Sequence, residues 1–234
     1  MSAAAEAEIQ RQKLALGAMG IELWQKRSQA PTIESQQLTA TPAQQQILSG
    51  RLEELRQGVS ACTRCELHKS RTQTVFGTGN PEADWLIIGE APGVDEDRQG
   101  QPFVGRAGLL LNEMLRAVGL QRDAVYIANI LKCRPPDNRN PSGAEADACS
   151  SWLEQQIAAI EPRLILAVGK VAAQNLLGND EAIGRMRGQV YSYGEKDIPV
   201  VVTYHPAYLL RSPGEKHKSW ADLVFARKVL EGVA

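Results

Sequence analysis

The chain has 234 residues, of which 43% are hydrophobic, with 26 basic and 27 acidic side chains. This length suits one catalytic domain with an extension and excludes two large domains. Because the charges nearly cancel, a polyanion has to be bound through a local basic face. No apolar run approaches the roughly 18 residues of a membrane span, and the N-terminus lacks a secretory pattern, so we expect a cytoplasmic protein.

The first 42 residues are predicted to be an extension ahead of the catalytic domain. Apolar residues at helical spacing predict a helix over residues 3–27, and a glutamine-rich stretch from Gln29 to Gln46 predicts a polar linker. We therefore divide the chain into residues 1–42 and a catalytic domain over residues 43–234. Trp24 and its apolar neighbours are typical of a partner-binding peptide, which makes residues 1–30 a candidate contact for a replication or repair protein. Packing of this segment on its own domain is the alternative.

Beyond residue 80, strand-like apolar runs alternate with helical stretches. The runs typical of buried parallel strands are residues 84–88, 125–130, 164–168 and 200–204. Helical patterns follow them at residues 109–118, 144–160, 172–177 and 220–231. This order predicts an α/β fold, doubly wound, with a mainly parallel four-stranded sheet and helices on both faces. Ligands of such sheets bind beyond the carboxyl ends of the strands.

A glycine-rich acidic loop follows the first of these predicted strands and is a candidate active site. It begins with Gly89-Glu90-Ala91-Pro92-Gly93, continues through Glu96 and Asp97, and ends with Pro102-Phe103-Val104-Gly105. Glycines and prolines let the backbone approach a ligand closely, and the helix predicted near Ala107 offers unpaired N–H groups. Acids in such a loop are also compatible with a metal-dependent phosphate-ester hydrolase.

The four cysteines fall into two pairs. Cys62 and Cys65 form a C-x2-C pair, and Cys133 and Cys149 form a wider pair with fifteen residues between them. A C-x2-C pair places two thiolates on one metal or cluster, and the other ligands then come from distant sequence. Zinc and a four-iron cluster both accept four thiolates, and the wide second pair favours the cluster. Four buried free thiols are the structural alternative.

Five motifs occur in order along the chain. They are Cys62-x2-Cys65, Gly89 to Gly93 with Glu96-Asp97, Pro102 to Gly108, Asn129 to Pro136, and His205 to Arg211. Together they resemble the fourth family of uracil-DNA glycosylases, and the resemblance runs from about residue 50 to the C-terminus. It implies a monomeric DNA repair enzyme that flips uracil out of single- or double-stranded DNA and hydrolyses its N-glycosidic bond. It also implies a structural [4Fe-4S] cluster on the four cysteines and chemistry that needs no divalent metal.

The resemblance further implies roles for individual residues. Uracil is expected to lie against Glu90, Ala91, Pro92, Phe103, Asn129 and His205. Phe103 would offer a flat face to the base, Asn129 would pair with N3–H and O4, and His205 would donate to O2. The catalytic residues are predicted to be Glu96, His205 and Glu90, with Glu96 orienting water or supporting the sugar cation. Core packing of Phe103, a strand-end cap at Asn129 and helix capping by Glu96 are the structural alternatives.

The last motif is predicted to contact DNA. By the same resemblance, Leu209 or Leu210 would fill the gap left by the flipped base, and Arg211 would approach a phosphate. Residues 98–102 contain no histidine, so we expect turnover by a monofunctional enzyme rather than covalent capture of the sugar. The competing function is a non-catalytic iron-sulphur or zinc protein that binds nucleic acid or transfers electrons.

Overall fold

The computed structural model describes residues 42–233. The predicted N-terminal helix, most of the linker and the partner-binding segment of residues 1–30 lie outside the described residues. In the described part the helices are α1 (Pro42–Ser60), α2 (Val94–Gln99), α3 (Arg106–Ala117), α4 (Gly143–Ile160), α5 (Lys170–Leu177), α6 (Ile183–Met186), α7 (Pro206–Arg211) and α8 (Lys216–Leu230). Between residues 42 and 233, no helix is long and apolar enough to cross a membrane.

Six strands form one sheet in the order β1-β3-β2-β4-β6-β5. They are β1 (Thr78–Gly79), β2 (Trp85–Gly89), β3 (Tyr126–Asn129), β4 (Leu164–Val168), β5 (Val190–Tyr193) and β6 (Ile198–Thr203). The four central strands are parallel, and β1 and β5 pair antiparallel with the two edges. Gly89 pairs with Asn129 in this register, so the ends of β2 and β3 meet at one point.

Both faces of the sheet are covered by helices because the central strands are apolar on both sides. Leu86 and Ile88 of β2 pack into the core layer that includes residues of α1, α4 and α5. Trp85 and Ile87 point the other way, into the layer that includes residues of α3 and α8. Successive side chains of one strand therefore pack into two cores on opposite faces of the sheet. Loops cover the carboxyl ends of the strands.

Helix α4 carries one of the predicted cysteine ligands, and its start is fixed by a capping box. Ser142 Oγ accepts a hydrogen bond from Glu145 N at 3.3 Å, and Ser142 N donates to the Glu145 carboxylate at 2.8 Å. These bonds satisfy backbone groups that the first turn would otherwise leave unpaired. The helix register that places Cys149 is thus set by its first turn.

The predicted α/β class is confirmed, and the four predicted parallel strands are the four central ones. The sheet has six strands rather than four, however. The sequence does not predict β1 because it has only two residues. Strand β5 escapes prediction because its residues alternate between exposed and half-buried, so that no apolar run marks it.

Candidate active site and four-cysteine site

A cleft of about 500 Å³ opens beyond the carboxyl ends of the central strands. Its lining comes from three segments that are distant in sequence: the loop after β2, the end of β3 with the loop that follows, and the loop after β6. All the residues predicted to contact uracil line it, namely Glu90, Ala91, Pro92, Phe103, Asn129 and His205. The structure brings this set together, and the role of each member stays a prediction.

Asn129 is the buried polar residue of the cleft. Its side chain is 2% exposed, and its Oδ1 has no hydrogen-bond partner among the described residues. An unpaired buried acceptor costs about 1–3 kcal/mol, so this atom is arranged for a donor that arrives with a ligand. Gly89 keeps the space open, because a Cβ there would lie 2.5 Å from Asn129 Oδ1 and 2.6 Å from Phe103 Cζ.

Phe103 is held in an unusual backbone conformation. Its φ is +53°, in a region that costs a non-glycine residue about 1–3 kcal/mol. Arg122 compensates by donating from Nη1 to Phe103 O at 3.1 Å and from Nη2 to Pro102 O at 2.6 Å. Helix α3 also approaches closely, since a Cβ on Gly108 would lie 1.8 Å from Phe103 O. These contacts fix the position of the aromatic ring.

His205 follows β6 and caps the N-terminus of α7. Its Nδ1 accepts a hydrogen bond from Ala207 N at 3.1 Å, which leaves Nε2–H as the ring donor. Burial lowers the pKa of His205 to about 4, and the charge of Arg211 lowers it further while Glu96 opposes the shift. The imidazole is therefore neutral at neutral pH. Its ring centroid lies 5.6 Å from that of Phe103.

Glu96 binds the backbone of its own loop. Its Oε2 accepts from Gly93 N at 3.1 Å, and its Oε1 accepts from Val104 N at 3.0 Å and Gly105 N at 3.1 Å. The carboxylate thus joins the two arms of the loop that surround the cleft. Its predicted action on water or the sugar cation stays a prediction, and both of its oxygens already have backbone partners.

The other two acids of this loop differ in their surroundings. Asp97 is buried away from the cleft lining and accepts from Thr72 N at 2.9 and 3.1 Å, so it ties the loop to the preceding segment. Glu90 lines the cleft, and its carboxylate has no hydrogen-bond partner in the described part of the chain. Burial raises the pKa of Glu90. Of the two acids that line the cleft, Glu90 is the one whose carboxylate is not bound to the backbone of the loop.

The predicted DNA-contacting residues lie on α7, and the structure separates them. Leu209 is fully buried in the structure without DNA, and its contact with DNA stays a prediction. Leu210 is half-buried and lines a surface groove with Arg106 and Leu109 of α3. Arg211 is exposed and lines the cleft. Leu210 and Arg211 are therefore the accessible pair.

One wall of the cleft was not predicted from the sequence to contact the base. Pro135, Asn138, Arg139 and Asn140 line it from the loop after β3. Arg139 forms a bidentate pair with Glu145 at 2.6 and 2.8 Å, and this hydrogen bonding is the main reason that the pKa of Glu145 falls to about 2. The signal was the run of turn-forming prolines and asparagines directly after the Asn129 motif. Arg122 was also missed, because nothing local marks an arginine that acts on distant carbonyl groups.

The four cysteines are free and line one small cavity. Cys62 and Cys65 follow α1, Cys133 follows β3, and Cys149 lies on α4. In residues 42–233, no group of three or more His, Cys, Asp or Glu side chains is assembled to hold a metal ion. The structure thus brings the predicted ligands to one cavity without gathering them around a single ion position.

Hydrogen-bond donors and cations surround these sulfur atoms. Arg71 Nη1 donates to Cys133 Sγ at 3.0 Å, and Trp152 Nε1 donates to Cys62 Sγ at 3.3 Å. Burial raises the pKa of Cys133 and of Cys149, and the nearest cations oppose it. N–H donors of this kind stabilise thiolate ligands and tune the sites that they form.

Comparison with known proteins agrees with this geometry. The profile of the uracil DNA glycosylase superfamily matches residues 76–226, which places the fold and its cleft in that superfamily. A type-4 uracil-DNA glycosylase of Archaeoglobus fulgidus is 45% identical over 178 residues, 73% of this chain and 89% of that protein. Another, from Thermotoga maritima, is 46% identical over 157 residues, 66% of this chain and 80% of that protein. This chain belongs to the type-4 uracil-DNA glycosylases.

Proposed function

We infer that this protein excises uracil from DNA as a repair enzyme, hydrolysing the N-glycosidic bond and leaving an abasic site. Its family membership supports that activity. The structural observation that carries it is the unpartnered Oδ1 of Asn129, which is buried beside Phe103 in a cleft with room for a flipped base.

Base recognition is assigned to the side chain of Asn129. Its Oδ1 accepts from uracil N3–H, and its Nδ2 donates to uracil O4. Cytosine reverses both groups, with an acceptor at N3 and an amine at C4, so it would leave the buried amide unpaired. A site built around such hydrogen bonds rejects the wrong partner by a large factor without a separate editing step. Phe103 supplies the face on which the base stacks.

Charge stabilisation at the departing base is assigned to His205. As the glycosidic bond breaks, the electron pair moves onto uracil and negative charge gathers at O2. The neutral imidazole donates Nε2–H to that oxygen, because its Nδ1 is already occupied by Ala207 N. Water then adds its oxygen to the sugar carbon and loses one proton, and the departed uracil anion gains one proton, so that the products are uracil and an abasic sugar.

The acid that faces the sugar is the least determined part of the reaction. We propose that Glu90 supports the sugar cation or orients the water, since its carboxylate lines the cleft without a partner in the described residues. Glu96 then acts by holding the loop in shape through three backbone N–H groups. Glu90→Gln should lower kcat and leave KM nearly unchanged. Glu96→Gln should lower thermal stability as well as activity.

We propose that Cys62, Cys65, Cys133 and Cys149 hold a [4Fe-4S] cluster. The donor set is suitable: four thiols on one cavity, with N–H groups already directed at two of the sulfur atoms. When bound, the cluster cross-links three segments of the chain: the one after α1, the one after β3, and α4. The test is the iron and sulphide content of anaerobically purified protein, compared with Cys149→Ala.

The activity is tested with labelled oligonucleotides that differ in one base. The protein is incubated in EDTA with a uracil-containing strand and a thymine control, and abasic sites are then cleaved with alkali. Scission at uracil alone is the expected result for both single- and double-stranded substrates. Scission that requires a divalent ion would favour a metal-dependent hydrolase, and absence of scission with iron bound would favour a binding or electron-transfer protein.

The remaining proposals concern the protein's setting. We propose that it works as a monomer in the cytoplasm and that residues 1–30 contact a replication or repair protein, as the apolar residues around Trp24 indicate. Deletion of residues 1–40 should leave uracil scission on oligonucleotides unchanged and should abolish that contact. Unchanged capture of a purified repair partner after the deletion would refute the role of residues 1–30.

A further inference from the structure

Lys132 is a fully buried lysine that lies between the uracil cleft and the four-cysteine cavity. It is 1% exposed, and it lines the cysteine cavity. Its Nζ donates to the backbone carbonyl of Asn129 at 2.8 Å. One side chain therefore contacts the residue that recognises the base and borders the site proposed for the cluster.

The charge of Lys132 has no carboxylate partner within residues 42–233, where the ion pairs involve other cations. Its hydrogen-bond acceptor is a neutral carbonyl. A buried ammonium group without an opposite charge is costly, because the interior replaces its hydration poorly. The cavity that Lys132 borders is also lined by the sulfur-bearing residues Cys133 and Cys149.

When bound, an iron cluster and its four cysteine ligands would carry net negative charge. Lys132 lines the same cavity, so its side chain is placed to balance that charge.

We infer that Lys132 couples the two sites: it balances the charge of the loaded cluster and, through the Asn129 carbonyl, holds the uracil-binding amide in place. This inference rests on the proposed cluster and the proposed uracil site. It makes Lys132 a positioning residue, since its contact with the base is made through Asn129. Cluster loading and uracil binding should then stabilise each other, because coupling between two sites is reciprocal.

Arg71 provides a matched control. It also brings a cation to the cysteine site, donating to Cys133 Sγ at 3.0 Å, but its other hydrogen bond is to Ser60 O, away from the cleft. Arg71→Met should therefore weaken the cluster without changing uracil binding. Lys132→Met should weaken both, and Lys132→Arg should restore part of each.

The experiment uses anaerobically purified, iron-loaded protein and two readouts. The first is the rate at which an iron chelator bleaches the visible absorbance, with and without saturating free uracil. The second is the dissociation constant of free uracil, measured by calorimetry. We expect Lys132→Met to bind uracil about ten-fold more weakly, as for one lost charge-assisted hydrogen bond. We also expect uracil to slow iron release from the unmodified protein and from Arg71→Met, but not from Lys132→Met.

The measurement on the unmodified protein stands even if Lys132→Met does not fold. Iron release that is indifferent to uracil would overturn the coupling, as would unchanged uracil affinity in Lys132→Met. Uracil scission by a protein that never contains iron would overturn the inference while leaving the glycosylase function intact. Bound iron with neither scission nor uracil binding would instead overturn the function.

Discussion

Asn129 of the cleft and Cys133 of the four-cysteine cavity are four residues apart along the chain, but the two sites are built in opposite ways. The side chain of Asn129 lies in an open cleft, and its Oδ1 has no partner among the described residues. Cys133 lies in a small cavity, where Arg71 already donates a hydrogen bond to its sulfur. The cleft keeps polar groups ready for a ligand that enters and leaves. In the cavity, N–H donors already contact the sulfur atoms, as they would around a permanently bound group. The residues around the end of β3 thus line an open cleft on one side and a small closed cavity on the other.

The largest expected effect tests the unpaired acceptor of the cleft. Asn129→Ala removes both hydrogen bonds to uracil, and loss of such a preorganised group costs about 100- to 1000-fold in rate. The measurement is kcat/KM on a uracil oligonucleotide. Asn175→Ala is the matched control, because that asparagine is exposed on α5 and bonds only within its helix. Equal activity of the two variants would show that Asn129 is a structural cap.

The next largest effect is expected at Gly89, which leaves space beside Asn129 and Phe103. Gly89→Ala would push a Cβ against Asn129 and Phe103, and a displacement of this size should lower kcat/KM by about 100-fold. Gly143→Ala is the control, since a Cβ there meets nothing within 4 Å. Thermal unfolding of both variants separates a local block from global destabilisation. Full activity in Gly89→Ala would mean that the cleft is not shaped around this contact.

A smaller effect is expected from Arg122, which holds the backbone of Phe103 in place. Arg122→Ala frees the carbonyls of Pro102 and Phe103, and we expect about a ten-fold loss in kcat/KM, because charge-assisted bonds are individually strong but the ring itself remains. Arg122→Lys should recover part of the activity. Lys196→Ala is the control, since it removes only an exposed ion pair with Glu161 and should have no effect.

The two adjacent leucines of α7 should separate stability from DNA binding. Leu209→Ala should cost about 2–5 kcal/mol of unfolding free energy, as for other fully buried leucines. Leu210→Ala should instead lower activity a few-fold on double-stranded substrates and little on single strands, since only a duplex needs its gap filled. The opposite pattern would return Leu209 to the DNA interface.

The smallest expected effect is that of pH on kcat, which His205 should leave unchanged over the neutral range. Because burial holds the pKa of His205 at about 4, its imidazole should not change charge between about pH 8 and pH 5. In a Glu90→Gln background kcat should therefore be flat across that range. His205 has a lower pKa folded than its ordinary 6.5, so the unfolded chain gains the proton first. Its contribution to stability should be complete above about pH 6.5 and fall towards pH 4. An activity loss centred near pH 6.5 would contradict a neutral, buried imidazole.

The sequence predicted the central sheet and most of the cleft, because these depend on local patterns. Apolar runs mark β2 and β4, and the motifs after the strands carry Phe103, Asn129 and His205 in readable contexts. The sequence did not predict which of Leu209 and Leu210 is buried, since that depends on how a six-residue helix is turned against α3. It also missed Arg122, which acts on backbone carbonyls that it reaches through the fold.

Trp152 gives the four-cysteine site an optical property of its own. Its indole N–H donates to Cys62 Sγ at 3.3 Å, and the guanidinium of Arg64 lies 4.3 Å from its ring. An iron cluster in that cavity would be close enough to quench the fluorescence of this tryptophan. Emission that rises as iron is removed, and that no longer rises in Trp152→Phe, would report cluster occupancy in solution without a label.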